Sequence, residues 1–575
     1  MIMNTSTIVK FFKLITFTHR NKYFYFIFLY FFNLIIELLG IGLIIPFLHT
    51  IISEDFYLKI ISYLTFLDIN YISKNQFILL FIGFLLIIFI VKAISLTYIS
   101  YVNLKFLNDI KLNISKNLFN TYLNQPFNFY LENNSTKLTS HINDITAFIS
   151  VTNSGIILIN ESLILFSLLI VSFIFEPIIT IIILILFGIG ALFFYKKVQS
   201  KTKILGDIKQ KNNILIFNQI KESFGAIKEL IILGKINYAV EKFVNYCNES
   251  AKSDFKQSFF LSLPRIWLEL FGVIGINLIL IFIIYSNMNI LIFVPTIGFF
   301  VVILYRFMPS ITRIMNAIQA IKFNTPIIEN IYEQLFVRNF FLIKKIDNNN
   351  SVIFNKNIKL KNIKYLLKEN QKLLFDISNF NINKNSFLGI VGPSGVGKTT
   401  LLNIILGLID PDNGVIEVDG IDIRNNLKSW HKIIGYVPQN IYLNDDSLFA
   451  NIALGVPEKK INFNLIKEVI HLSQLDKFVE MLPQGINTIV GELGDKISGG
   501  QKQRIGIARA LYNQPEIIIF DEATNSLDED TEETLIKEIS LLKEKTVIFV
   551  SHRTKNLKKY AELYELSKFG LVKKN

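Results

Sequence analysis

Cysteine is almost absent, with Cys247 the single thiol in 575 residues. That excludes an internal disulfide framework and suits a reducing compartment. Arginine is scarce as well: nine residues stand against fifty lysines, so lysine is the default cation of this chain. The N-terminus lacks a small-residue cleavage site after a short apolar core, and no signal peptide is expected there. The net charge is +13, yet no basic patch interleaved with aromatics occurs in the second half. Nucleic acid is therefore not the expected partner. Excess lysine on the cytoplasmic loops of a membrane protein accounts for the charge.

Hydrophobic residues are plentiful. They make up 51% of the chain and raise the mean hydropathy to +0.43. They are unevenly spread. Phe, Ile and Leu dominate up to about residue 320, and after about 340 the sequence reads as an ordinary globular domain. A Lys/Asn-rich stretch, 344–350, marks the change. The expected organisation is an N-terminal amphipathic segment over 1–22, a membrane domain over 23–325, a linker over 326–355 and a globular domain over 356–575.

Apolar windows of about 20 residues, the length that spans ~30 Å of hydrocarbon, fall near 23–48, 77–101, 155–175, 177–196, 263–286 and 290–312. Six membrane helices are expected. Segment 196–258 carries twelve Lys and six acidic residues, whereas 49–76 carries two Lys and three acidic residues. The positive-inside rule then puts 196–258 in the cytoplasm and 49–76 outside. Both ends and the globular domain become cytoplasmic. Segments 102–154 and 197–260 have helical spacing, which predicts long helices continuing out of the spans. Residues 56–64 have amphipathic spacing and read as a short helix on the outer membrane surface.

Glu37, Lys92, Glu161, Arg265, Glu269, Arg306 and Arg313 lie in or beside spans, where ionisable groups are costly. Three of the nine arginines are among them. The planar guanidinium suits bidentate contact with phosphate or carboxylate. Arg306 lies ~24 Å down an out-to-in helix, at 1.5 Å per residue. Lys92, Arg265 and Arg313 sit near the same inner level. Two readings stand: a cationic belt facing a translocation cavity, or an Arg265–Glu269 pair at i,i+4 with the other cations snorkelling to headgroups.

The globular half opens with a short apolar strand, 387–391. It runs into Gly392-Pro393-Ser394-Gly395-Val396-Gly397-Lys398-Thr399, with Thr400 and a helical pattern following. This is a complete phosphate loop in its strand–loop–helix setting. Backbone N–H groups and the helix N-terminus face phosphate. Lys398 reaches the β/γ-phosphates, and Thr399 ligates Mg²⁺. Residues 517–520 form a second apolar strand that ends in Asp521 and Glu522. Asp521 can hold Mg²⁺ through water, and Glu522 can polarise the attacking water. ATP and Mg²⁺ are the expected ligands.

Ile497-Ser498-Gly499-Gly500-Gln501, before a basic helical stretch, resembles the signature of the ATP-binding-cassette (ABC) proteins. The resemblance covers the whole globular half. It implies that Gln439 is the glutamine that senses Mg²⁺ and contacts the membrane domain. It also implies that Asp528 belongs to the loop after Glu522, that His552 is the switch histidine at the γ-phosphate, and that 488–492 lies against membrane-domain helices. In that family Ser498–Gln501 of one chain complete the ATP site of a second copy. Three departures stand out: Ile497 where Leu is usual, Asn525-Ser526 where Ser-Ala is usual, and Tyr365 as the nearest candidate for the adenine-stacking aromatic.

Six spans ahead of one cassette resemble the exporter type. The implied fold is an all-α six-helix membrane domain followed by an α/β P-loop NTPase, acting as a homodimer in the bacterial cytoplasmic membrane. Short coupling helices are implied near 133–141 and 220–228. The stretches 263–269 and 304–310, with Arg313, Glu37, Pro46 and Lys92, resemble bacterial flippases of lipid-linked oligosaccharides. That likeness implies that Lys92, Arg265, Arg306 and Arg313 engage a pyrophosphate-linked lipid saccharide. Export of another lipid, polysaccharide or peptide remains open on the same chassis, as does a non-pumping regulator of a membrane partner. Intact Glu522 and His552 argue against the last.

Overall fold

The structure is a computed structural model. It describes residues 9–11, 13–14, 22–52, 54, 57–59, 73–175, 177–285, 290–337, 352–367, 372–491, 497–524 and 528–574. The chain forms two compact units, one of Met1–Gln125 with Phe129–Ile343, the other of Pro126–Asn128 with Lys344–Asn575.

The first unit is helical. Its helices are α1 (Lys22–Gly42), α2 (Ile44–Ile52), α3 (Lys74–Leu123), α4 (Phe127–Glu132), α5 (Ser135–Asn143), α6 (Ile145–Phe175), α7 (Pro177–Gly225), α8 (Ile227–Ile232), α9 (Ile236–Tyr285), α10 (Ile290–Phe323) and α11 (Thr325–Tyr332). Among the described residues, five helices are long and apolar enough to cross a membrane, and α1 carries a shorter apolar run, Phe28–Gly40. Helices α3, α7 and α9 contain 50, 49 and 50 residues. At 1.5 Å per residue each is ~75 Å long, more than twice the ~30 Å hydrocarbon core. The helical spacing of 102–154 and 197–260 is thus realised as continuations of the apolar helices.

Local chemistry explains the boundaries. Ser73 caps α3 in a capping box with Gln76. Pro177 opens α7, where its missing N–H costs nothing. The expected first span, 23–48, is divided at Leu43, just ahead of Pro46, which cannot donate to the helical ladder. The expected linker also starts later than residue 326. Helix α11 and a π-helical turn, Glu333–Val337, keep the chain helical to 337, with Ile328 and Ile331 buried. Of the outer helix expected over 56–64, Tyr57–Lys59 are helical, and most of the remainder lies outside the described residues. The segment 1–8, the turn at Glu176 and the loop 286–289 also lie outside them.

Two cores hold this unit together. Ile164, Leu168, Ile183, Phe187, Phe299, Phe300, Ile303 and Phe307 pack between α6, α7 and α10. Phe106, Ile110, Ile114, Leu118, Phe148, Val151 and Ile328 pack between α3, α6 and α11.

The second unit is α/β. Strands β1 (Asn357–Leu367), β2 (Lys372–Asn383), β4 (Asn413–Val418) and β5 (Ile421–Asp422) form an antiparallel sheet in the order β2-β1-β4-β5. Strands β3 (Phe387–Val391), β6 (Ile434–Val437), β7 (Ile517–Asp521), β8 (Thr546–Val550), β9 (Glu562–Ser567) and β10 (Gly570–Lys573) form a second sheet, ordered β10-β9-β3-β8-β7-β6. That sheet is parallel except for the β9–β10 hairpin. Its central strands are apolar throughout because both faces are covered. Ile518, Phe520, Val547 and Phe549 enter one core, and Ile517, Ile519, Ile548 and Val550 enter the other. Helices α12 (Lys398–Ile405), α13 (Leu427–Lys432), α14 (Leu448–Ile452), α15 (Phe463–Leu472), α16 (Asp476–Met481), α17 (Gly499–Tyr512) and α18 (Glu529–Leu541) complete it.

Trp430 is fully buried and donates its indole N–H to the Ile405 carbonyl at 3.0 Å. It locks α13 to the end of α12, the helix that follows the phosphate loop. Trp430→Ala should cost about 3–5 kcal/mol. Thermal unfolding of the full chain in detergent, followed by circular dichroism, should show a lowered midpoint for this unit.

Candidate functional site

The C-terminal ends of β3 and β7 carry the charged residues, the place where open parallel sheets bind ligands. Residues 392–397 link β3 to α12. Gly397 caps α12 at φ 103°, and a Cβ there would sit 2.7 Å from Leu374 and 3.1 Å from Phe375. Only glycine meets both conditions. Thr399 and Thr400 follow Lys398 in the first turn of α12.

Lys398 is buried and turns back over the loop. Its Nζ donates to the carbonyls of Gly392 at 2.9 Å and Pro393 at 3.2 Å. It also lies 3.2 Å from His552 Nε2 and 3.8 Å from Glu522 Oε1. Burial pushes its pKa down, partly offset by the charges of Glu522 and Asp521.

Glu522, directly after β7, is held at φ 51° and donates its backbone N–H to Val550 on β8 at 3.0 Å. Left-handed backbone at a glutamate is strained and persists only where the surroundings fix it. His552 Nε2 lies 2.7 Å from Glu522 Oε1, and Gln439 donates to Oε2 at 3.1 Å. Residues 398, 439, 522 and 552, read separately from the sequence, therefore converge on one carboxylate.

Asp521 is buried, and Tyr436 Oη donates to its Oδ2 at 3.3 Å. Burial raises the Asp521 pKa. Its Oδ1 is buried with no hydrogen-bond partner among the described residues. Such an oxygen suits a hard cation or its bound water, so the residues present fit Mg²⁺. Tyr436 was not singled out from the sequence. Pairing of β6 with β7, Tyr436 opposite Ile519, brings it beside Asp521.

The other residues expected at the nucleotide site occupy separate places. Ser498 caps α17 in a capping box with Gln501: its Oγ accepts from the Gln501 N–H at 3.2 Å, and its N–H donates to Gln501 Oε1 at 2.8 Å. Gly499 and Gly500 form the first turn of α17. Asp528 caps α18 by accepting from Thr531, which lowers its pKa. Tyr365 stacks on Phe375 at 6.2 Å, and Phe375 flanks Gly397. One face of Tyr365 is thus engaged, one ring away from the phosphate loop. Residues 525–527 and Glu492 lie outside the described residues.

In the first unit, Lys92 on α3 and Arg306 and Arg313 on α10 meet two buried carboxylates, Glu37 on α1 and Glu161 on α6. Glu37 pairs with Lys92 at 3.5 Å and, more closely, with Arg306. Glu161 pairs with Arg313 at 2.6 Å and Arg306 at 4.0 Å, and accepts from Ser310 Oγ at 2.7 Å. Three of the four expected cations therefore meet, but as ion pairs. Arg265 is not among them: exposed, it pairs with Glu269 at 3.1 Å, one turn away. The two carboxylates were visible as ionisable residues in spans, but their partners depend on the packing of four helices.

Comparison with known proteins agrees with this geometry. Residues 375–525 match the family model described as ABC transporter, and residues 23–306 match that of the ABC transporter transmembrane region. A putative export ATP-binding/permease protein of Rickettsia bellii is 30% identical over 506 residues, covering 83% of each chain. The ABC transporter ATM1 of Toxoplasma gondii is 37% identical over 187 residues, 32% of this chain but only 16% of that protein's length. A bacterial Atm1-family ABC exporter solved with ATP bound superposes with a TM-score of 0.77 at 19% identity, covering 94% of this chain and 93% of its own.

Proposed function

The chain belongs to the ABC transporters, with an exporter-type membrane region fused to an ATPase domain, and from that premise we propose that two copies hydrolyse ATP to move a phosphate-bearing lipid, a lipid-linked saccharide, across the bacterial cytoplasmic membrane. One observation carries the ATP-driven part. Lys398, at the end of the phosphate loop, and His552 and Gln439 all lie within hydrogen-bond or ion-pair distance of Glu522, at the end of β7.

Each residue then has a task. When ATP enters, Lys398 exchanges the Gly392 and Pro393 carbonyls for phosphate oxygens. Thr399, Gln439 and Asp521 would hold Mg²⁺, Asp521 through the oxygen that has no partner among the described residues. Bound Mg²⁺ neutralises charge on the β- and γ-phosphates. Glu522 orients and polarises the attacking water, and His552 steadies the γ-phosphate. Tyr365 is the candidate base-stacking ring. Ser498, Gly499, Gly500 and Gln501 offer the α17 N-terminus to the γ-phosphate of the partner's ATP, with Asp528 beside that junction. The short helices α5 and α8 fall close to the expected coupling segments and would pass the motion on.

The cargo reading is supported by the scarce arginines at 306 and 313, since the guanidinium fork suits phosphate better than an ammonium does. The lysine excess of 196–258 supports a cytoplasmic ATPase domain.

Sharing of the ATP site is tested by complementation. Chains carrying Lys398→Ala or Ser498→Arg are each expected to be inactive alone. Co-expressed, they form a mixed pair in which one intact Lys398 faces one intact Ser498, and ATP hydrolysis should return. If the mixture stays inactive, each site lies within one chain and the pairing is wrong.

A further inference from the structure

Glu37 and Glu161 have no part in ATP chemistry, yet they are 2% and 3% exposed and lie on two different apolar helices. Unpaired charges in hydrocarbon cost several kcal/mol, so Arg306 and Arg313 need counter-ions whenever cargo is absent. We propose that Glu37 and Glu161 are those resident counter-ions, and that a phosphate-bearing lipid headgroup binds by taking their place on Arg306 and Arg313. This rests on the cargo reading above and adds how the headgroup gains the arginines.

The arrangement provides for the exchange. Each carboxylate has a second partner that remains once its arginine leaves. Glu37 keeps Lys92, at 3.5 Å. Glu161 keeps the Ser310 hydroxyl, at 2.7 Å. When the guanidinium turns to another anion, Glu37 keeps a cation and Glu161 keeps a hydroxyl donor, so the penalty of breaking a buried pair is reduced. The arginines are also the accessible members. Arg313 has 53% of its side chain exposed and Arg306 20%, against 2% and 4% for the acids they hold. Arg306 divides itself between both carboxylates, and its contact with Glu161 is loose at 4.0 Å. Among the described residues three cations face two carboxylates, a formal excess of one positive charge in the cluster. A diphosphate presents the oxygen geometry that two guanidinium forks can chelate.

The same geometry separates Lys92 from the arginines. Lys92 becomes the holder of Glu37 rather than a headgroup contact. Arg265, paired with Glu269 outside the cluster, takes no part.

The test is equilibrium binding of undecaprenyl diphosphate to the full chain in phosphatidylcholine nanodiscs, with undecaprenol and inorganic pyrophosphate as controls. Glu161→Gln removes the competing charge and keeps the shape. The exchange account expects it to bind undecaprenyl diphosphate about tenfold more tightly, a difference of one decade in Kd, with undecaprenol unchanged. Glu161→Asp, which keeps the charge but shortens its reach, should bind a few-fold more tightly; it also serves if the Gln variant fails to fold. Unchanged or weaker binding in either variant, with wild type still preferring undecaprenyl diphosphate to undecaprenol, overturns the exchange and leaves the cargo reading intact. A wild type that does not distinguish the two lipids overturns the cargo reading and the exchange with it. A gain confined to inorganic pyrophosphate overturns a lipid headgroup as the occupant.

Discussion

Glu522→Gln is expected to slow ATP hydrolysis by about two to four orders of magnitude, the usual contribution of a positioned general base, while ATP binding survives. The geometry explains why the two effects separate. Glutamine keeps the length of Glu522, and its carbonyl can still accept from His552 or Gln439, which lie 2.7 and 3.1 Å from the carboxylate. Neither partner is orphaned, and the loop after β7 retains the backbone bond to Val550. The negative charge proposed to polarise water is lost. Lys398 also loses the nearby carboxylate that partly neutralises it. Phosphate binding should hold or tighten as a result. Phosphate release in a single turnover, measured beside nucleotide binding, checks both halves. Hydrolysis within about threefold of wild type would remove Glu522 from its role.

Replacing Arg306 and Arg313 together by lysine should reduce transport of a diphosphate-linked lipid by about tenfold to a hundredfold, and replacement by glutamine should abolish it. The lysine pair preserves the charge balance with Glu37 and Glu161, so it removes the bidentate fork without stranding a buried acid. Charge-assisted hydrogen bonds contribute roughly 1.5–3 kcal/mol each, and losing one of them gives the stated range. The glutamine pair leaves two buried carboxylates with Lys92 as their remaining cation in the cluster, so its stability must be followed by thermal unfolding. If the lysine pair transports as wild type does, the forks do not read the cargo.

The two units differ in how far their sites were legible from sequence. The phosphate loop was readable because its chemistry is local. Glycine spacing, Lys398 and the strand before it lie within a few residues of each other, and Gly397 has the backbone and the crowding that the motif implies. Asp521 and Glu522 were readable because an apolar run buried on both faces of the sheet ends in charge. Tyr436 was not, since its contact with Asp521 is created by the pairing of β6 with β7. The engagement of Tyr365 by Phe375 likewise comes from cross-strand pairing in another sheet. In the membrane unit, depth along each helix was calculable but rotation was not. Of the four cations at one level, sequence spacing offered a partner only to Arg265, in Glu269 at i,i+4. Packing of α1, α3, α6 and α10 gives Lys92, Arg306 and Arg313 carboxylate partners on other helices and leaves Arg265 to its own helix. The boundary of the helical unit moved from 325 to 337 because Pro326 sits at the start of α11, where it is tolerated, instead of ending a helix.

The central claim is that ATP hydrolysis by this chain moves a phosphate-bearing lipid, and proteoliposomes test it most directly. A fluorescent undecaprenyl-diphosphate saccharide is placed in both leaflets, and its loss from one leaflet is followed after ATP and Mg²⁺ are added. The account predicts ATP-dependent movement by wild type, no movement with Glu522→Gln, and none for a matched lipid saccharide that lacks the diphosphate. Movement without ATP, or equal movement of the uncharged lipid, would contradict it.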